Sequence, residues 1–143
     1  MPVLTVQSLT KIYSSSEEAT ATRALSGLSL KVEEGEFVGV MGPSGSGKTT
    51  LLNILATIDT PTSGSVKIGG VSPAKLHGDQ LALFRRRKLG FVFQDFNLLN
   101  TLSVRDNIAL PLALDNVKAK EIYRRVEEVA ARLGITHILD KRT

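Results

Sequence analysis

Gly42-Pro43-Ser44-Gly45-Ser46-Gly47-Lys48-Thr49 fits the pattern G-x-x-x-x-G-K-[ST], the P-loop or Walker A motif. Phe37-Val38-Gly39-Val40-Met41, just before it, is nearly all apolar and predicts a buried core strand. Leu51-Leu52-Asn53-Ile54-Leu55-Ala56, just after it, predicts a buried helix. The glycines therefore stand where a strand feeds a helix, which is the context the motif requires. The competing reading is a flexible Gly/Ser turn between two core elements.

The residue types carry a specific chemistry. Gly42, Gly45 and Gly47 lack a Cβ, so the loop can take positive φ and close its backbone on a ligand. Successive N–H groups then converge as an anion nest, and the helix starting near Lys48 adds its N-terminal dipole. In this motif Lys48 reaches the β- and γ-phosphates of a nucleotide and the Thr49 hydroxyl ligates Mg²⁺. Thr50 is a further hydrogen-bond donor beside them. The nucleotide-binding set is thus Gly42, Pro43, Ser44, Gly45, Ser46, Gly47, Lys48, Thr49 and Thr50.

Composition sets the bounds. The chain has 143 residues, 42% hydrophobic and 22% charged, enough for one domain with a real core. It has no cysteine, which excludes disulfides and thiolate metal sites and suits a reducing cytoplasm. The N-terminus shows no basic segment followed by an apolar run, so no signal peptide is expected. No stretch approaches the ~18 apolar residues of a membrane span. Net charge is +4, and Arg85-Arg86-Arg87-Lys88 is the one dense basic run. It reads either as a solvated helix end or as a patch for nucleic acid or lipid.

Leu4 to Tyr13 reads as an edge-type strand. Residues 14–20 are polar and read as a surface loop. Leu28, Leu30 and Val32 alternate with Ser29 and Lys31, which predicts a half-buried strand antiparallel to the first. Glu33-Glu34-Gly35-Glu36 is a turn. The helix from Lys48 should end near Asp59-Thr60-Pro61, because proline disfavours helix in its predecessor. Ser65-Val66-Lys67-Ile68 alternates and Gly69-Gly70 is a hairpin-type turn. Asp79 is placed to cap a helix to about Lys88, followed by a short core strand, Gly90-Phe91-Val92-Phe93, ending at Gln94. Ser103 is a good N-cap for a helix from Val104 towards Leu110, with Pro111 bending or restarting the chain. The last helix spans about Ala119 to Leu133. Ile122, Val126, Val129, Ala130 and Leu133 share one face, and Gly134 stops it. There is no internal repeat.

With Tyr13, the P-loop and Phe93-Gln94-Asp95 in place, the chain resembles the nucleotide-binding subunit of an ATP-binding-cassette transporter. The wording "RALSGLSLKVEEGEFVGVMGPSGSGKTTLLNILATIDTPTSGSV" and "LGFVFQDFNLLNTLSVRDNIALPL" is similar to the ATPases of lipoprotein-release, macrolide-export and bacitracin-resistance systems. "ATIDTPTSG" and "FQDFNLLNTLSV" bring the bacitracin type nearest. The resemblance covers essentially the whole chain, but about the first three-fifths of such a subunit.

It implies an α/β fold: a P-loop NTPase core with an N-terminal antiparallel β subdomain and the beginning of a helical subdomain. Residues 1–94 would be the nucleotide-binding core and residues 95–143 the exit from the Q-loop and the first part of the helical subdomain. Tyr13 matches the aromatic position whose ring stacks on adenine; alternatively it is an aromatic covering a sheet edge. Gln94 matches the Q-loop glutamine, which contacts Mg²⁺ or the attacking water; taken alone it reads as a surface residue. Phe96, Leu98, Leu99 and Leu102 lie where such subunits dock their permease, or they pack beneath the helical subdomain.

The cofactors implied are ATP and Mg²⁺. The partners implied are a membrane permease of FtsX-like type and a second copy of the ATPase. The place implied is the inner face of the cell membrane. No nucleic acid is expected.

Catalysis in this family also uses an apolar strand ending in Asp-Glu, a Ser-Gly-Gly-Gln signature and a switch histidine. Leu112-Ala113-Leu114-Asp115 and Ile138-Leu139-Asp140 only imitate the strand, and His77 and His137 fall in the wrong regions for the switch. The expectation is that the chain is the N-terminal part of a longer ATPase, binds nucleotide weakly and turns over almost none. Its incomplete sheet predicts self-association. Other classes are a soluble cassette ATPase acting on nucleic acid or ribosomes, and another P-loop enzyme. The guanine-reading [NT]-K-x-D is absent, since Thr10-Lys11-Ile12-Tyr13 lacks the Asp.

Overall fold

Strand β1 (Pro2–Ser14) is the centre of a three-stranded antiparallel sheet of order β2-β1-β3. The computed structural model describes residues 1–14 and 21–142, so the surface loop expected at 14–20 lies almost wholly outside the described residues. Strand β2 (Ala21–Glu33) pairs along one side of β1, with Thr5 opposite Lys31 and Val6 opposite Leu30. Strand β3 (Ser63–Ile68) pairs along the other, with Leu4 opposite Ile68 and Val6 opposite Val66. The antiparallel pairing follows the alternation read from the sequence, but β1 is not an edge. Both of its sides are hydrogen-bonded, because residues 63–68 return to it from far along the chain.

Helix α1 (Lys48–Leu55) lays Leu51 and Ile54 on this sheet. With Val6, Leu9, Leu25 and Val66 they form one buried cluster, flanked by Leu4, Leu28, Leu30, Leu55 and Ile68. Burial of that apolar stripe fixes the helix, and so fixes where its N-terminus stands. The helix stops at Leu55, earlier than Pro61 alone predicts. Thr57 takes φ +59°, and the Asn53 carbonyl accepts from the N–H groups of both Ile58 and Asp59. That closed turn ends the helix before the proline can.

Residues 37–41 are not a buried strand. No strand is assigned there, and Phe37 and Met41 are 98% and 93% exposed. The apolar run needs strands on either side to be buried, and none flanks it among the described residues. Residues 90–93 likewise carry no strand, and Val92 is fully exposed. Helix α2 (Gly78–Lys88) has His77 at its N-cap, so Asp79 falls in the first turn, where it faces the positive end of the helix. Arg85, Arg86, Arg87 and Lys88 form the last turn, where cations are favoured.

The chain divides into two units, Met1–Phe91 and Val92–Thr143. In the second, α3 (Val104–Leu114) starts on Ser103, whose Oγ accepts the Asp106 N–H at 3.1 Å. The helix continues through Pro111 to Leu114 rather than breaking there. Helix α4 (Ala119–Leu133) ends as read, with Gly134 at φ +71°. Val126, Ala130 and Leu139 are buried together, with Val104, Ile108, Ala109, Ile122 and Ile135 around them. Val129 and Leu133, expected on that face, are 37% and 66% exposed. The Arg105 guanidinium bonds Glu127 at 2.7 Å and Asp140 at 3.0 Å, tying α3 to α4 and to the residues that follow it.

On α4 the Arg124 and Arg125 guanidiniums hold Glu121 down to about 2. Its folded value lies below the ordinary 4.5, so its ion pairs stabilise α4 fully above that pH and lose their effect as the pH falls towards 2. Glu121→Gln should therefore lower stability at neutral pH, with most of that difference gone by pH ~2 and the rest lost below it, as denaturant melts of both proteins at the two pH values would read. The pairs are solvent-exposed, so the difference will be small.

Candidate functional site

The sheet and α1 present residues 42–47 as a loop leading into the helix N-terminus at Lys48 and Thr49. Gly47 is the N-cap of α1, at φ +87° and ψ 5°. A Cβ there would stand 2.4 Å from the Ala24 carbonyl of β2 and 3.0 Å from the Leu25 side chain. Only glycine lets the loop come this close to the sheet. Gly45, at φ +76°, is needed for its backbone alone, since a Cβ there meets nothing within 4 Å. Gly42 differs from the sequence expectation: it has no positive φ, and its reason is the Ser46 hydroxyl, 2.6 Å from where a Cβ would be.

Lys48 folds back over the loop. Its ammonium donates to the Gly42 carbonyl at 2.8 Å, to the Pro43 carbonyl at 2.6 Å and to Ser46 Oγ at 3.3 Å. No side chain caps α1, and its first turn holds no acidic residue. Helix α3, by contrast, has its first N–H groups answered: Val104 donates to the Lys141 carbonyl, Arg105 to the Leu139 carbonyl and Asp106 to Ser103 Oγ. The free N–H groups of α1, the glycine loop and one ammonium thus leave a positive site open to an anion. Thr49 is exposed in the first turn and Thr50 half-buried beside it.

These residues also fit a divalent metal. No cluster of three carboxylates or imidazoles stands among the described residues. The Thr49 hydroxyl is a neutral oxygen of the kind that Mg²⁺ takes alongside phosphate oxygens, so the nucleotide would bring most of the ligands.

Tyr13, near the end of β1, is 43% exposed. Its hydroxyl donates to Asp59 Oδ2 at 2.8 Å. The Lys11 ammonium donates to Asp59 Oδ1 at 2.6 Å and lies 4.8 Å from the centre of the Tyr13 ring. Hydrogen bonds from Lys11 and then Tyr13 hold the Asp59 carboxyl below the usual carboxylate range. Sequence reasoning missed Lys11 and Asp59. Forty-eight residues separate them, and only the early end of α1 and the return to β3 bring them together.

Tyr13 and the P-loop belong to the first unit, and Gln94 belongs to the second, exposed in a bend. Phe96, Leu98 and Leu99 are 90%, 46% and 49% exposed. Asn107 of α3 pins the loop by accepting the Leu99 N–H at 2.8 Å and donating to the Leu99 carbonyl at 3.2 Å. Among the described residues no helix is long and apolar enough to cross a membrane.

Comparison with known proteins bears on the family of the chain. The "ABC transporter" family model matches residues 25–143. The chain is 59% identical over its whole length to an uncharacterized ABC transporter ATP-binding protein, YvcR, of Bacillus subtilis, and spans 55% of that protein. It is 44% identical, over 99% of its length and 55% of the relative's, to the bacitracin export ATP-binding protein BceA of Halalkalibacterium halodurans. The chain therefore spans about half the length of these curated relatives.

Among solved structures, a dimeric post-hydrolysis state of the ATP-binding cassette MJ0796, bound to ADP and Pi, superposes with a TM-score of 0.87 and 37% identity. That match covers 97% of this chain and 61% of the other. With its P-loop on α1 and its antiparallel N-terminal sheet, this chain belongs to the ABC transporter family.

Proposed function

We propose that this chain is the ATP-binding part of a transporter ATPase whose binding and hydrolysis of ATP drive a membrane permease. The observation that carries the reading is the Lys48 ammonium, held on the Gly42 and Pro43 carbonyls at the uncapped positive end of α1. On that reading Lys48 leaves those carbonyls for the β- and γ-phosphates. The N–H groups of Gly42, Ser44, Gly45 and Gly47 line the phosphate chain, while Pro43 has no N–H to offer and, with Ser46, whose N–H donates to the Pro43 carbonyl, shapes the loop. Thr49 ligates Mg²⁺, and Thr50 donates a further hydrogen bond. When bound, Mg²⁺ neutralises charge across the phosphate oxygens. Tyr13 stacks on adenine, and Gln94 contacts the metal or the attacking water.

The name of the bacitracin export relative supports a substrate of antimicrobial-peptide character, with a lipid-like substrate as the alternative. Phe96, Leu98, Leu99 and Leu102 are the proposed seat of an FtsX-like transmembrane subunit, which would hold the ATPase on the inner face of the membrane. Phe96, Leu98 and Leu99 are exposed apolar side chains in a loop, which suits a partner, and Leu102 is half-buried beside them. The solved relative is dimeric, which supports a second copy as the other partner. The strand ending in Asp-Glu, the signature and the switch histidine are not among these residues. This chain by itself is therefore proposed to hold nucleotide and turn over almost none.

The test is an amide NMR titration with ATP and Mg²⁺. Shifts should concentrate at residues 42–50, and an unmoved loop would refute the reading.

A further inference from the structure

Lys11, Tyr13 and Asp59 form a closed cluster that the P-loop chemistry does not use. Asp59 spends both carboxylate oxygens: Oδ2 accepts from the Tyr13 hydroxyl at 2.8 Å, and Oδ1 accepts from the Lys11 ammonium at 2.6 Å and the Thr60 N–H at 2.7 Å. Lys11 also donates to the Thr60 carbonyl at 2.8 Å and is only 12% exposed. A nearly buried ammonium with two oxygen partners has little freedom to leave. It stands 4.8 Å from the Tyr13 ring centre, within cation–π range.

Two consequences follow. The ring is pinned at its hydroxyl end, so it does not have to be ordered when a ligand arrives. One of its faces is taken by the cation, so a planar ligand must use the other. The cation also draws on the ring's π electrons, which favours stacking with an electron-rich base.

We propose that Asp59 and Lys11 are positioning residues that set the Tyr13 ring and leave one face of it for the base of a nucleoside triphosphate. This rests on the reading of Tyr13 as the base-stacking residue. It adds that the segment between α1 and β3 shares in base recognition, although it carries none of the phosphate chemistry. Tyr13 would meet the base, while Asp59 and Lys11 act through Tyr13.

The experiment compares ATP with inorganic tripolyphosphate, which has the phosphate chain and no base, by calorimetric titration of the wild type and single variants. Asp59→Asn and Lys11→Met should each weaken ATP ~3- to 10-fold and leave tripolyphosphate unchanged. Tyr13→Phe should lose about as much as Asp59→Asn, and Tyr13→Ala more. Lys48→Ala should weaken both ligands, which reports the P-loop reading separately. Equal loss of ATP and tripolyphosphate in Asp59→Asn would mean that the cluster only supports the fold. That result overturns the proposal and leaves the P-loop reading standing. ATP affinity unchanged in both Asp59→Asn and Lys11→Met, or in Tyr13→Ala, overturns it too. Should Asp59→Asn unfold because the Thr60 turn opens, Lys11→Met and Tyr13→Phe still decide, since neither removes the Asp59 contact to the Thr60 N–H.

Discussion

Lys48→Ala should reduce ATP affinity ~10- to 100-fold while leaving the melting temperature nearly unchanged. The two halves of that expectation have different causes. A hydrogen bond to an ionised group contributes ~1.5–3 kcal/mol, and the triphosphate would lose the Lys48 ammonium. The fold loses little, because the present acceptors of that ammonium, the Gly42 and Pro43 carbonyls, lie in an exposed loop. Water can replace the lysine there. The glycine loop and the uncapped start of α1 remain, so some affinity survives. Calorimetry with ATP and Mg²⁺ beside thermal melts checks both halves. An unchanged Kd would mean that the loop is only a turn, and a large fall in Tm would mean that Lys48 is structural.

How far the sequence carried the reading depended on whether a signal was complete in itself. Ser103 and Gly134 mark the start of α3 and the end of α4 through bonds made within a turn, and those two helix ends stand where the residues place them, whereas α3 runs on through Pro111 to Leu114. The P-loop is equally local: Lys48 opens α1 and Gly47 caps it. The apolar runs at 37–41 and 90–93 are a different kind of signal. They report that these residues suit a core, not that strands are present to cover them, and among the described residues none flanks 37–41. β1 was misplaced as an edge for the same reason, since its second neighbour comes from residues 63–68.

The site shows the same division. Lys48, Gly45 and Gly47 are legible because the motif's spacing sets the turn, whereas the expected positive φ at Gly42 is absent. Asp59 is not legible in that way, because its meaning lies in partners 46 and 48 residues away. Pro61 set an outer limit for α1, but the turn at Thr57 came first. That early stop leaves Asp59 free of the helix, where it can reach β1. A lysine two residues before the strand's tyrosine was the available signal, since alternate residues share a face.

Replacing Gly47 by alanine should cost far more than the same change at Gly45, although both residues sit at positive φ. At Gly45, φ is +76° and the added methyl meets nothing, so only the backbone resists, at ~1–2 kcal/mol. At Gly47 that strain is joined by a collision. The methyl would lie 2.4 Å from the Ala24 carbonyl, which is backbone and cannot rotate aside. Ala24 adjoins Leu25, which is paired with Lys11 and buried in the core, so β2 gives way only if the sheet does. The loop must lift instead. Lifting it moves the first turn of α1, and with it the N–H groups and the Lys48 ammonium that make the anion site.

Strain and overpacking together should cost on the order of 2–6 kcal/mol, with ATP binding lost. Gly42→Ala offers the third comparison, because its methyl meets the Ser46 hydroxyl, which can turn away, and the Ser46 Cβ at 3.3 Å, which needs only a few tenths of an ångström of give. Stability should therefore rank Gly42→Ala nearest the wild type, Gly45→Ala ~1–2 kcal/mol below it and Gly47→Ala lowest, in denaturant melts of the three variants. If Gly47→Ala melts with Gly45→Ala, the close approach of loop to sheet is not what holds the phosphate site in shape.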